Sequence, residues 1–156
     1  MKIYGKSVDL QEQGTAMVEG YVPWKETGNI DVDPVYGVLN VVAGGAAVQS
    51  HVSHFGFIFV ASGGVASGTT VHDGGLLVVE PGGKTSGSVV SCGAGMRVSS
   101  GGTAKNTIVS GGAGLSIESG GSADGIIVRK SGQLTVYPGA TVRHLSVAKG
   151  GRVTYL

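Results

Sequence analysis

One cysteine, Cys92, stands in a chain of 156 residues, so no disulfide can close within it. Charged residues make up only 13% of the chain, and they nearly cancel at +1. No apolar run approaches the length of a membrane-spanning helix. Residues 1–20 lack the apolar stretch of a signal peptide and carry internal charges, so the chain as it stands shows no such leader. Apolar residues do not recur at spacings of three and four, which excludes helical repeats. Aromatics are few and uneven. Seven of nine fall within the first 59 residues: Tyr4, Tyr21, Trp24, Tyr36, Phe55, Phe57 and Phe59.

Glycine is what the chain has in quantity, at 30 of 156 residues, and the glycines are periodic. Residues 103–121 read TAKNTIVSGGAGLSIESGG. The same nineteen-residue frame runs without insertion or deletion from residue 46, through VASGTTVHDGGLLVVEPGG at 65–83, to the partial copy TVRHLSVAKGGRVTYL at 141–156. A degraded copy occupies 27–45. Counting places from residue 46, the seventh holds Val52, Val71, Val90, Val109, Val128 and Val147. The thirteenth holds Ile58, Leu77, Met96, Leu115, Leu134 and Val153, and the fifteenth holds mainly valine. The second place is small. Glycine pairs close each unit, and a second glycine-rich corner lies near its middle.

Places five and seven alternate inward, as do thirteen and fifteen, and period two is the signature of a strand. Glycines between them supply turns and close backbone approach. Each unit is therefore two or three short strands joined by glycine corners. One unit cannot bury its apolar side alone, whereas stacked units can. The expected fold is all-β: a single-stranded parallel β-helix, or β-solenoid, with one repeat per coil. Residues 27–156 would form about seven coils, in a rod on the order of 30 Å long. Residues 1–26 depart from the repeat and are expected to cap the N-terminal end, where an open solenoid would expose apolar interior. Pro34, Pro81 and Pro138 fall at repeat corners, where a missing N–H costs little.

The pattern small-x-x-Thr-x-Val-x-x-Gly-Gly, followed by x-Leu-x-Val-x-x-Gly-Gly, resembles the repeats of AIDA-type autotransporter adhesins. VASGTTVHDGGLLVVEPGG and TAKNTIVSGGAGLSIESGG carry it best. The resemblance covers 46–156 well, 27–45 weakly and 1–26 not at all. It implies a right-handed parallel β-helix passenger, secreted or displayed at the cell surface, with roles in adhesion, self-aggregation and biofilm formation. It also implies that some members are O-glycosylated on repeat Ser and Thr. This chain carries no membrane-spanning β-barrel segment and has few repeats.

Candidate site residues are sparse. The repeat region offers the carboxylates Asp73, Glu80, Glu118 and Asp124, and no two occupy places that would face each other across a cleft. No catalytic residue and no cofactor are expected. His54, His72 and Asp73, with Cys92 continuing the ninth-place column, are the metal candidates by residue type. The more economical reading is a polar outward corner. Phe57, Phe59, Leu76 and Val78 fall at outward places of two neighbouring coils and form an apolar flank, expected to lie under the cap. Lys105, Asp124 and Arg143 stack with alternating sign as an ion ladder. The hydroxyls of Ser50, Thr69, Ser88 and Thr107 form a column expected to face inward. Outward threonines such as Thr135 and Thr154 are too few for an ice-binding array.

Charge is distributed unevenly, with an acidic first third and eight basic residues against Glu118 and Asp124 over 84–156. Nucleic acid is not the expected partner, because the basic residues are spread in sequence without interleaved aromatics. The expectation is a non-enzymatic adhesin-like module acting by self-association or by attachment to a host or bacterial surface ligand. Phe57, Phe59, Leu76, Val78, Arg143, Lys149 and Arg152 are the interface candidates. Two alternatives stand beside it: a glycan-binding or glycan-processing β-helix, and a structural module of a phage fibre or other large assembly.

Overall fold

The computed structural model describes residues 38–53 and 55–156, together with strand segments at 8–9, 15–18 and 30–32. Among the described residues all elements are strands and turns, wound as a parallel β-solenoid of about six turns, consistent with a right-handed β-helix. Each turn carries three strands. In residues 84–102 these are Lys84–Ser86, Val89–Val90 and Gly95–Val98. Each pairs in parallel with its equivalents nineteen residues before and after: Val71, Val90 and Val109 lie side by side, as do Leu77, Met96 and Leu115. The result is three sheets, of six, eight and eight strands.

The two larger sheets reach further toward the N-terminus. Val8–Asp9 pairs with Ile30–Asp31, and Thr15–Val18 pairs with Val38–Val41. The expected cap segment thus contributes a strand to each of two sheets; the rest of residues 1–26 lies outside the described residues. The degraded copy at 27–45 supplies Ile30–Val32 and Val38–Val41, with no strand in the six-stranded sheet among the described residues.

Identical places stack because parallel pairing at this period puts like residues on the same face in every coil. Places two, five, seven, thirteen and fifteen point inward. Val52, Val71, Val90, Val109 and Val128 are fully buried, as are Ile58, Leu77, Ala47, Ala66, Ala104 and Ala123. Alanine at place two leaves room beside a corner for the larger side chains opposite, so the small-residue column follows from packing.

There are three corners per coil, each with a residue of left-handed backbone. Two are the glycine corners legible in the sequence. The third, at place four, holds Gly68, Gly87 and Gly125 at φ 66 to 74°, and also Gln49, Asn106 and His144 at φ 51, 51 and 48°. A glycine adopts this conformation without strain, and asparagine does so more readily than most residues. Because only half of this column is glycine, the corner leaves little mark on composition.

The inward hydroxyl column is as expected. Ser50, Thr69, Ser88 and Thr107 are fully buried, and their oxygens have no hydrogen-bond partner within the protein; nor has Thr85, at place two. In the next coil the same place five holds Ile126, also buried and apolar. A branched apolar side chain therefore fits. Thr107→Val should raise stability by about 1 kcal/mol, because it removes an unsatisfied hydroxyl at nearly constant volume. A rise in the thermal midpoint of a few degrees would show it, and a fall would mean that the hydroxyl is satisfied in solution.

Candidate binding surfaces

Among the described residues, corners and outward strand faces carry the charged groups that could act on a ligand. The carboxylates do not converge. Asp73 Oδ2 lies 2.8 Å from Nδ1 of the adjacent His72, Glu118 Oε1 lies 3.6 Å from Arg97 Nε, and Asp124 Oδ1 lies 2.5 Å from His144 Nδ1. Each of these three faces its own basic side chain rather than a second carboxylate. Among the described residues, no three His, Cys, Asp or Glu side chains lie close enough to share a metal ion. His72 and Asp73 are indeed neighbours, but they bond to each other; His54 lies outside the described residues. Cys92 is exposed.

The proposed ladder of Lys105, Asp124 and Arg143 exists in the strand register. Its closest contact is nevertheless with a residue that the sequence pattern did not single out. His144 sits at the third corner of the following coil and hydrogen-bonds Asp124. That hydrogen bond is the main influence holding the Asp124 carboxyl below its usual pKa, with smaller contributions from the charges of His144, Arg143 and Lys105. The physical reason is the corner itself. Left-handed backbone at His144 turns the chain so that its ring lies over the preceding coil, a relation invisible at a sequence separation of twenty.

The apolar flank is not bare. Val78 is 2% exposed and Phe57, Phe59 and Leu76 are half-buried. The rings of Phe57 and Phe59 stack at 6.2 Å between centroids, with planes 10° apart. Val78 pairs with Phe59 on one side and Arg97 on the other.

Arg143, Lys149 and Arg152 are all exposed in the last coil. Val142, Leu145 and Val153 of that coil pack on the core while partly exposed, and Val147, Tyr155 and Leu156 are exposed. Its three strands are the terminal members of their sheets. Arg129 and Lys130, which carried no weight in the sequence, lie exposed one coil earlier. Among the described residues no helix is long and apolar enough to cross a membrane.

No protein-family profile matches the chain, and no curated protein does. Among solved structures, the crystal structure of a hyper-glycosylated TibA fragment, its glycosylation catalysed by TibC, is similar. It shares 20% identity over 91% of this chain and 89% of that one, with a TM-score of 0.35.

Proposed function

We propose that the chain is a non-enzymatic attachment module, a β-solenoid of the adhesin-passenger type that acts outside the cell through self-association and surface contact. The observation that supports this reading is the uneven charge of the solenoid, with an acidic first third and a basic surface at Arg143, Lys149 and Arg152. The acidic first third of a second copy complements this basic surface. Residues 1–26, most of which lie outside the described residues, serve in this reading as the cap at the opposite end. The repeat resemblance supports the same reading.

The test is light scattering on the purified protein across a salt series. Assembly should appear at low salt and fall as salt screens the charges, with a screening length of about 10 Å at 0.1 M. Arg143→Glu together with Lys149→Glu should lower assembly at low salt. A protein that stays monomeric when concentrated at low salt would overturn self-association.

A further inference from the structure

The winding gathers cations that the sequence spreads out. Arg129 and Lys130 lie at places eight and nine of one coil, while Lys149 and Arg152 lie at places nine and twelve of the next. Coil stacking sets Lys149 beside Lys130 at a spacing of about 5 Å. The corner between them is tied by the bond from Ser131 N–H to Gly150 O, at 2.8 Å. Arg152 pairs in register with Gln133 on the adjoining sheet. All four cations are exposed, and none has an ion-pair partner among the described residues. The only carboxylates in residues 84–156, Glu118 and Asp124, are engaged elsewhere by Arg97 and His144.

Toward the N-terminus, the same corner loses its charged side chains, and its ninth place holds the exposed Cys92 in one coil and Gly111 in the next. Gly93 and Gly95 occupy it in one coil, and Gly111, Gly112 and Gly114 in the next. A Cβ added at Gly93 or Gly114 would meet nothing within 4 Å, and one at Gly112 would reach only Gly93 N at 4.0 Å. The Leu76 side chain lies over Gly95, since its Cδ1 would be 2.9 Å from a Cβ there. A glycine terrace one coil wide, Gly111, Gly112 and Gly114, bounded by Cys92 and Leu76 of the earlier coils, therefore ends on four unpaired cations. The terrace N–H groups are already donated to the next coil, as from Gly111 to Lys130 O and Gly112 to Ser131 O. What the terrace offers a ligand is close approach and the second lone pair of carbonyls such as Gly111 O, which already accepts the Gly93 N–H at 3.2 Å.

We propose that this corner binds a linear anionic polysaccharide, with its acidic groups on Arg129, Lys130, Lys149 and Arg152 and its hydroxyl-bearing rings on the glycine terrace. Carbonyl acceptors suit sugar hydroxyls, and uncompensated cations suit carboxylate or sulfate groups. Single-stranded nucleic acid would call for aromatic platforms. Tyr137 and Tyr155, the aromatics of this half, lie at places sixteen and fifteen, away from the corner. The inference deepens the attachment reading by naming a ligand class, and it does not require self-association.

The experiment is calorimetric titration of the full chain, at a concentration where scattering shows monomer, with heparin, with uncharged dextran and with duplex DNA. Heparin should bind with an affinity that falls with salt, and dextran should not bind. Lys130→Glu with Lys149→Glu should weaken heparin binding by about tenfold, while Lys84→Glu, on another face, should leave it unchanged. Gly114→Leu separates the terrace from simple charge attraction. Its backbone is not left-handed and its Cβ has open space, so the variant should fold, and it should weaken heparin severalfold with all four cations intact. The proposal is overturned if heparin does not bind, if dextran binds equally, or if duplex DNA binds as tightly as heparin. It is equally overturned if the paired Glu substitutions have no effect on correctly folded protein, if Lys84→Glu weakens binding as much as they do, or if folded Gly114→Leu binds as the parent does. Because assembly is scored by scattering without polymer, its failure and the failure of glycan binding are read separately.

Discussion

Val109→Asp is expected to leave the chain unfolded. Val109 is fully buried and paired in register between Val90 and Val128, themselves fully buried. An aspartate there would bury a carboxylate with no partner, or force it to hold a proton, beside two valines that offer no hydrogen bond. The cost is on the order of 4–5 kcal/mol or more, a large share of the total stability of a domain this size. Coils contact only their neighbours, so a defect at this coil removes support from both sides of the stack. The companion change, Ile108→Asp, sits one residue away on the outer, half-buried face. It should keep the fold. Circular dichroism and limited proteolysis of the two variants check this, and a Val109→Asp protein melting with the parent would show that the seventh place does not face the core.

Gly83→Ala should produce the next largest loss. The reason is space rather than φ. A Cβ on Gly83 would lie 2.1 Å from the carbonyl oxygen of Val60 and 2.9 Å from its carbon, both backbone atoms of the preceding coil. That carbonyl cannot move aside cheaply, because it accepts the N–H of Glu80 at 2.9 Å in the coil-to-coil ladder. A cost of about 3 kcal/mol, or roughly 6–12 °C in the thermal midpoint, is expected. The clash is graded along the column. It is 2.9 Å to Val79 O at Gly102 and 2.9 Å to Val98 O at Gly121, and the same place holds Ala140 one coil later. Gly121→Ala should therefore cost less than Gly83→Ala. Equal midpoints for Gly83→Ala and the parent would mean that these coils separate more easily than their pairing implies.

The period of nineteen, the inward columns, the parallel stacking and two of the three corners were all written in the sequence. The reason is that a solenoid makes each coil solve the same packing problem. Val52, Val71, Val90, Val109 and Val128 must match because each lies against the next, and the glycine pairs recur because each corner meets the backbone of the coil before it. Such constraints repeat at a fixed spacing and so show up in a single chain. The third corner did not, because Gln49, Asn106 and His144 also adopt the left-handed conformation there. The hydrogen bond between His144 and Asp124 was hidden for the same reason. It depends on where one corner turns a side chain, and no neighbouring unit repeats it.

The surfaces divide in the same way. The outward places of Phe57, Phe59, Leu76 and Val78 followed from strand alternation. Their burial did not, since it depends on what lies over the sheet. Cations that read as scattered along residues 84–156 become a four-residue cluster at one corner once coils stack, and the bare glycines beside them become a terrace. The sequence by itself determined the repeat, the strand faces and the core, because these are set by local alternation and by contacts that recur every nineteen residues. Only the tertiary structure decided which charges stand together unpaired, because outward side chains answer to no repeating contact and their grouping exists only after the chain is wound.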